Sequence, residues 1–539
     1  MTSKTEAQCP KIDEPYHELF LPLCDVYDEG GPEVFKHFER KDGSGRNAIL
    51  IPMAYIDTLA ELTNEENSVG ASDALKFIRD HMKEQIFSSK DFYLYRVSDG
   101  LDICILDRSS RSNQNFPMES LERKVQETFA HPGKGKITLV TDQTDLQIKY
   151  KGRGFHVEEP KFLIVNEDIV REGIIMGNDI LLNQLYANGN TIGLDIAKEL
   201  LERDQLYLNQ FVKFRGAKHE VFAVVKGKVQ KNQAGTRIIG VENPVLQLLP
   251  EKENEKKLHY GDRRDPNHYI TDNILGIKPL DMEQYLALQY GMISADVSVF
   301  FLCGKQGSGK TLLSFAHALD SVMIYDKEAR ERRGLRGDKK EAFYRQTILL
   351  KPPEILGGKS REQGFLPGDL YMKLKPHLRP FKDAFRETLL YSDMRFEDLF
   401  LHPKFSNDFG PPKPKEVTGK KINGVGHFST KDEIVELVYS GFIGGSSIRD
   451  TLIVIDEAQD FRPYEMKTII ERTGEGTSLI ILGDPVQVRN PKCSVKKNGL
   501  TFAIKHYLPK PYSGLVYLPR NFRSQASEDS EEMRVYNSE

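Results

Sequence analysis

The segment from Gly304 to Thr311 constrains the fold of this chain more than any other. It reads GKQGSGKT, a complete G-x-x-x-x-G-K-[ST] pattern, between the strand-like run VSVFFLC and the helical run LLSFAHAL. A glycine-rich turn between a strand and a helix directs backbone N–H groups and the helix N-terminus at a phosphate. Lys310 would reach the β- and γ-phosphates, and Thr311 would help to hold Mg²⁺. The pattern predicts a nucleotide site formed by Gly304, Gly307, Ser308, Gly309, Lys310 and Thr311.

An acidic pair follows a second apolar strand in the segment TLIVIDEAQD. Phosphoryl transfer depends chiefly on positioning and charge neutralisation. We therefore expect Asp456 to join the Mg²⁺ shell and Glu457 to orient or activate the attacking water. The alternative is that this strand end only caps the next helix, which begins near Pro463.

Two later segments supply further candidates for the same site. SLIILGDPVQV places Gln487 after a third buried strand, where its amide could bond the γ-phosphate or its water, although a Gly-Asp-Pro turn alone is an ordinary turn. LPRNFRS places Arg523 after the last strand, where a guanidinium could neutralise transition-state charge. The alternative for Arg523 is an ordinary surface arginine.

A segment upstream of the glycine-rich turn is a candidate for recognising the base of the nucleotide. GIKPLDMEQYLAL places Gln284 on a predicted helix, and its side-chain amide can read the donor and acceptor edge of adenine. The sequence contains no N-K-x-D segment, which would accept hydrogen bonds from guanine. ATP is therefore favoured over GTP.

The rest of the chain indicates a multidomain α/β protein. Five β-rich apolar runs alternate with helical patterns from Ile274 onward, which predicts a doubly wound core carrying ligands at the carboxyl ends of its strands. The composition, 539 residues with 39% hydrophobic and 29% charged, excludes fibrous and disordered classes, and the net charge of −4 gives no overall nucleic-acid signature. No apolar run approaches the roughly 18 residues that span a bilayer. We expect a cytoplasmic protein with no membrane partner, and its five scattered cysteines predict reduced thiols rather than a zinc site.

Taken together, these motifs resemble the PhoH family of P-loop ATPases, which is related to superfamily-1 helicases. The resemblance is carried by GIKPLDMEQYLAL, GKQGSGKTLL, GFLPGDLYMKLKPHLRPFKDA, VIDEAQDFRPYEMKTIIERTGEGT, LGDPVQVRNP and NGLTFAI, over nearly all of residues 274 to 525. It implies a RecA-like core in residues 261–539, with Arg523 as the γ-phosphate sensor. The family's Arg-Pro after the second strand is replaced here by Lys351-Pro352. That change keeps the charge and loses the guanidinium fork.

The first half of the chain resembles the PIN nuclease domain that precedes the ATPase in one branch of that family. The similarity lies in IPMAYIDTLAEL and ITLVTDQTDLQIKYKGRG, and it implies a PIN-like α/β domain in residues 1–165 followed by a β-rich connecting region in 166–260. PIN domains cleave RNA with acidic residues around Mg²⁺ or Mn²⁺. The resemblance implies four metal-binding carboxylates here: Asp25, Asp57, Glu122 and Asp142. The alternative is a degenerate PIN fold used for binding or assembly.

The leading hypothesis is an ATP-driven motor on single-stranded nucleic acid, RNA before DNA, fused to a domain that could cut RNA. Superfamily-1 helicases use two RecA-like cores, and this chain has room for one, so translocation would require a homo-oligomer, most simply a ring. Candidates for contact with the phosphate backbone are Lys351, Lys373 and Arg379, with the basic stretches Lys327–Lys340 and Lys420–Lys421. Such charge runs are often only solvated faces. Two other hypotheses stay open: an ATP-switched scaffold and a small-molecule kinase.

Overall fold

The computed structural model describes two compact units. Its described residues are 16–43, 45–65, 68–88, 92–106, 137–216, 220–232, 238–250, 274–294, 296–322, 344, 346–352, 378–388, 396–399, 435–439, 448–523 and 526. One unit comprises Met1–Val165 with Pro463–Glu465, and the other comprises Asn166–Arg462 with Met466–Glu539. Within the described ranges, no helix is both long enough and apolar enough to cross a bilayer.

The first unit is built on a seven-stranded sheet. Its strands are β1 (Tyr16–Pro22), β2 (Arg46–Pro52), β3 (Gln85–Ser88), β4 (Phe92–Ser98), β5 (Leu101–Leu106), β6 (Ile137–Val140) and β7 (His156–Glu158). They lie in the order β3-β4-β5-β2-β1-β6-β7. Pairing is parallel from β5 to β7 and antiparallel at β3–β4 and β4–β5. The continuous apolar runs of β1 and β2 suit this arrangement, because a parallel strand is covered on both faces.

Helices cover both faces of this sheet. They are α1 (Cys24–Gly30), α2 (Glu33–Phe38), α3 (Met53–Glu65), α4 (Val69–His81) and α5 (Thr144–Lys151). Alternate residues of one strand enter different cores, as Leu50 packs in one cluster and Ile49 and Ile51 pack in the other. Asp25 is the second residue of α1, which begins two residues after the end of β1, and Asp142 lies two residues after β6, the strand beside β1.

The second unit opens with a five-stranded sheet. Its strands are β8 (Ile174–Met176), β9 (Thr191–Gly193), β10 (Phe211–Arg215), β11 (Glu220–Lys231) and β12 (Ile238–Leu248), in the order β8-β10-β11-β12-β9. Two helices, α6 (Asp179–Ala187) and α7 (Leu194–Leu200), accompany it. The hairpin pairing of β10, β11 and β12 is antiparallel.

The same unit contains a wholly parallel six-stranded sheet. Its strands are β13 (Val299–Gly304), β14 (Gln346–Lys351), β15 (Val435–Tyr439), β16 (Thr451–Ile455), β17 (Ser478–Gly483) and β18 (Ser513–Leu518). The order is β15-β14-β16-β17-β13-β18. Its helices are α8 (Met282–Leu286), which continues as a π-helix over Ala287–Met292, α9 (Lys310–Val322), α10 (Arg379–Arg386), α11 (Pro463–Ile470) and α12 (Gly499–Tyr507). The predicted α/β fold class is confirmed.

The five-stranded sheet and the six-stranded sheet share one hydrophobic core. Phe211 and Phe222 of the smaller sheet are buried in the same cluster as Leu286 of α8 and Leu302 of β13. Phe211 also packs edge-on against Tyr290, with ring centroids 5.7 Å apart. The β-rich region thus packs directly against the helix that leads to the glycine-rich turn.

Candidate functional site

The glycine-rich turn adopts a conformation that only glycine reaches easily. It leaves the carboxyl end of β13, and Gly307 and Gly309 have φ angles of 79° and 89°. A Cβ built on Gly307 would overlap Oδ1 of Asn521 and lie 2.9 Å from Cγ of the same side chain. The turn is therefore closed over by the loop that follows β18, and both the backbone and the space require glycine there.

Lys310 is held in place by the turn that it follows. It is the first residue of α9, and its Nζ donates to the carbonyl oxygens of Gly304 at 2.5 Å and Lys305 at 2.8 Å. Burial lowers the pKa of Lys310, against the opposing effect of three nearby carboxylates, those of Asp484, Glu457 and Asp456. This ammonium is thus a fixed cation inside the loop, which is where a phosphate would need it.

Gln284 lies against the turn from the other side. Its Nε2 donates to the carbonyl oxygen of Ser308 at 2.9 Å, and its Oε1 accepts from the backbone N–H of Leu280 at 2.7 Å. Asp281 caps α8 by accepting from the backbone N–H of Gln284. The structure therefore brings Gln284 to the site and uses both ends of its amide on the main chain. Reading of adenine by this side chain stays a prediction.

The carboxyl ends of β16 and β17 bring the polar candidates together. Gln459, which is fully buried, donates from Nε2 to Oε2 of Glu457 at 2.8 Å and to the carbonyl oxygen of Gln487 at 3.2 Å. Its Oε1 accepts from the backbone N–H of Asp484 at 3.1 Å, and Asp484 in turn accepts from Nε2 of Gln487 at 2.8 Å. One buried amide thus links the two loops that carry Glu457 and Gln487.

Glu457 is fixed by its backbone and by its neighbours. Its φ angle is 55°, in the left-handed region that non-glycine residues rarely occupy. Burial alone would raise the pKa of Glu457. The charge of Arg489, the hydrogen bond from Gln459 and the charges of two nearby lysines together outweigh burial, and the pKa lies below its usual value. The carboxylate is thus ionised as well as anchored, as a group that orients water must be.

Lys351 takes a position different from the one expected for a nucleic-acid contact. It ends β14, and its Nζ lies 3.1 Å from Oδ2 of Asp456, with only 10% and 8% of the two side chains exposed. The ammonium also lies 5.2 Å from the ring centre of Phe381. A lysine buried in this way offers little surface to a phosphate backbone. The structure joins Lys351 to the nucleotide site instead, because β14 pairs with β16.

Arg523 lies in the loop that closes over the glycine-rich turn. The backbone N–H of Phe522 donates to the carbonyl oxygen of Gly307 at 3.0 Å, and that of Arg523 donates to Oδ1 of Asn521 at 2.9 Å. The side chain of Arg523 is exposed. This placement fits a guanidinium that reaches a bound phosphate from outside.

Sequence reasoning missed Arg489 and the linking role of Gln459. Arg489 follows Gln487 by two positions, and its Nη2 lies 2.8 Å from Oε1 of Glu457. Both residues lie inside the motifs quoted above, so their closeness in sequence to Glu457 and Gln487 was the available signal. Their partners lie about thirty positions away, however, which pattern reading does not resolve.

The oxygen donors for Mg²⁺ fit the predicted metal. Thr311 lies in the first turn of α9 and would offer a hydroxyl, and Asp456 directly follows β16 of the neighbouring sheet and would offer a carboxylate. Hydroxyl and carboxylate oxygens are the ligands that Mg²⁺ prefers. The ion pair between Lys351 and Asp456 also shows that this carboxylate already faces a cation.

The acidic candidates of the first unit are only partly brought together. Oδ2 of Asp25 accepts from Oγ1 of Thr141 at 2.8 Å and from the backbone N–H of Asp142 at 3.1 Å, so two candidates are neighbours. Asp57 is exposed on α3, and Glu122 lies outside the described residues. Where the structure describes the chain, no group of three or more acidic, histidine or cysteine side chains is placed to hold a metal.

Of the remaining basic candidates for nucleic-acid contact, the structure describes one. Arg379 is exposed at the first position of α10, where a phosphate backbone could reach it. Lys373 and the stretches Lys327–Lys340 and Lys420–Lys421 lie outside the described residues.

The parallel sheet, the glycine-rich turn and the carboxylates beside it define a P-loop protein with a RecA-like core. The model of the PhoH-like protein family matches residues 337–527. Protein PhoH2 of Bacillus subtilis is 30% identical over 414 residues, which cover 74% of this chain and 78% of that protein. The chain belongs to the PhoH family.

Other relatives match over shorter stretches. A PhoH-like protein of Bacillus subtilis is 28% identical over 43% of this chain and 56% of its own length. The chain thus spans only about half the length of such relatives. Among solved structures, a Pif1 helicase from Bacteroides aligns with 46% of this chain and 44% of its own at 17% identity and a TM-score of 0.17.

Proposed function

We propose that this chain is a Mg²⁺-dependent ATPase that works as a motor on single-stranded nucleic acid, RNA rather than DNA, in the cytoplasm. One observation carries the ATPase assignment: the Lys310 ammonium is fixed inside the turn, while Asp456 and Glu457 leave a strand of the same sheet. This is the pairing of a phosphate-binding lysine with strand-end carboxylates that phosphoryl transfer requires.

Each residue has a role that follows from its position. Lys310 and the backbone N–H groups of the turn bind the β- and γ-phosphates. Thr311 and Asp456 would hold Mg²⁺, which supplies charge neutralisation at those phosphates when it is bound. Glu457 orients the attacking water and accepts its proton.

Two further residues act at the γ-phosphate, one by hydrogen bonding and one by its charge. Gln487, whose side-chain amide donates to Asp484, can bond the phosphate or its water. Arg523, exposed in the loop over the turn, neutralises charge that develops in the transition state.

The nucleic-acid assignment rests on the family and on basic side chains. Arg379, which lies within the described residues, is exposed on α10 and is our candidate for contact with the phosphate backbone. We also propose that the active form is a homo-oligomeric ring, because the described residues contain one parallel six-stranded core and a second core would have to come from another copy of the chain.

For the first unit we propose a PIN-like domain that cleaves RNA with Mg²⁺ or Mn²⁺. The neighbouring placement of Asp25 and Asp142 supports it. Labelled RNA should be cut in the presence of Mn²⁺, and cleavage should be lost in Asp25→Asn and Asp142→Asn. Equal cleavage by wild type and both variants, or none by wild type, would show that this domain is not a nuclease and favour a role in binding.

The test of the main proposal is ATP turnover with and without single-stranded RNA or DNA. Lys310→Ala serves as the blank and should abolish turnover. Stimulation by RNA above that by DNA is the expected result. Turnover that is slow and insensitive to both polymers would favour an ATP-switched scaffold instead, and turnover retained in folded Lys310→Ala would place the active site elsewhere.

A further inference from the structure

The guanidinium of Arg489 lies between two acidic side chains of the loop after β16. Its Nη2 is 2.8 Å from Oε1 of Glu457, and its Nε donates to Oδ2 of Asp460 at 3.0 Å. The backbone N–H of Arg489 donates to the other oxygen of Asp460 at 2.6 Å. Arg489 is thus fixed through both its backbone and its side chain.

Asp460 is a buried anchor for this arrangement. It also accepts from the backbone N–H of Asn490 at 3.2 Å, and its own carbonyl oxygen accepts from Nδ2 of Asn490 at 2.8 Å. A carboxylate that receives this many donors has little freedom to move. The position of the Arg489 side chain is therefore set by Asp460, independently of Glu457.

The two oxygens of Glu457 are held by donors of different origin. Gln459, from the same loop, donates to Oε2 at 2.8 Å, and Arg489, from the loop after β17, lies 2.8 Å from Oε1. The backbone of Glu457 is left-handed, with φ at 55°. A non-glycine residue in such a conformation persists only where its surroundings determine it, and such residues cluster at functional sites.

We propose that Arg489 is the positioning residue of the ATPase site, which aims the Glu457 carboxylate at the attacking water. This inference rests on the proposed ATPase function and adds a residue to it. Arg489 does so as a fork, with one nitrogen on its anchor and another on Glu457. A lysine has a single donor head and cannot replace both contacts.

Three variants of the full chain test this role. Arg489→Gln removes the charge and the fork, and Arg489→Lys keeps only the charge. Arg449→Gln is the matched control, since Arg449 is exposed just before the opposite, N-terminal end of β16. Steady-state kcat and KM for ATP are measured for each, together with Tm.

We expect a split between the two kinetic constants. Arg489→Gln should lower kcat about 10- to 100-fold, as misplacement of a reacting group by about 1 Å does, with KM changed less than about threefold. Arg489→Lys should recover part of the loss, and Arg449→Gln should match wild type. A kcat unchanged in Arg489→Gln, or a rise in KM that accounts for the whole effect, would overturn the inference.

A double-mutant cycle with Glu457→Gln decides whether Arg489 acts through that carboxylate. In single-turnover measurements, Arg489→Gln should add less than about twofold to the loss already caused by Glu457→Gln. A full additional loss would mean that Arg489 acts on its own, and the positioning role would be wrong. The Tm values of the same four proteins test the contact itself without nucleotide: additive Tm changes would argue against it.

The two proposals fail in different ways. If wild type hydrolyses ATP and Lys310→Ala does not, the ATPase assignment stands, and an unchanged Arg489→Gln removes only the Arg489 inference. If wild type does not hydrolyse ATP, the proposed function fails and the positioning role fails with it.

Discussion

Replacement of Gly307 by alanine should loosen the nucleotide site through two separable effects. Gly307 has φ at 79°, and a left-handed conformation costs an alanine about 1–2 kcal/mol. The new Cβ would also overlap Asn521, whose displacement would break the hydrogen bond from Phe522 to Gly307, worth about 0.5–1.5 kcal/mol. The sum is about 1.5–3.5 kcal/mol, which corresponds to a loss of about 10- to 400-fold in affinity for MgATP.

Fluorescence titration with an ATP analogue measures this loss. Asn521→Ala, combined with Gly307→Ala, should restore the steric part and leave about a tenfold loss from the backbone alone. Gly189→Ala is the matched control, because Gly189 has φ at 67° and nothing within 4 Å of its built Cβ. Affinity within threefold of wild type in Gly307→Ala would refute the reasoning, since neither effect would then exist.

Three further perturbations test other parts of the structure. Gln284→Ala should raise KM for ATP about tenfold, because the carbonyl of Ser308 loses its donor, and unchanged kinetics would contradict this role. Asp102→Asn should destabilise the protein by about 1–3 kcal/mol, since Asp102 is fully buried and accepts from the Tyr16 hydroxyl at 2.7 Å. An unaltered midpoint of urea unfolding would contradict this stabilising role of Asp102. Burial first, and then neighbouring charges, raise the pKa of Cys24 to about 12. Alkylation of Cys24, followed by mass spectrometry, should therefore be slow at pH 8 and should accelerate with every pH step above it. An alkylation rate that levels off near pH 9 would exclude such a shift.

The strands of the nucleotide core are predictable from sequence to different degrees. All five predicted strands are present, because each is a continuous apolar run between turn signals. The sixth, β15, escapes prediction: it lies at the edge of the sheet, and Glu436 interrupts its short apolar pattern. In the first unit, residues 72–86 have an amphipathic pattern but include most of α4 and the start of β3. Gln85 pairs with Tyr95 of β4, and periodicity alone does not reveal that pairing.

In the candidate site, too, local motifs are predictable from sequence and contacts that depend on strand pairing are not. The residues of the glycine-rich turn can be assigned from sequence because the motif is local. The position of Lys351 cannot, since its burial against Asp456 depends on the pairing of Leu350 with Ile455 across more than a hundred residues. From sequence alone, a lysine at a strand end is therefore predicted to be a solvated cation, and only the strand order shows that it is buried.

The core shared by the two sheets of the second unit bears on how this protein can change over evolutionary time. Phe211 and Phe222 are buried in the same cluster as Leu286 of the helix that carries Gln284, so substitutions in the β-rich region should affect the packing beneath the proposed nucleotide site. We therefore expect exchange of one part between relatives without its counterpart to destabilise the shared core. We expect selection to act on residues 166–523 as one inherited unit, whose two sheets accept compensating substitutions together.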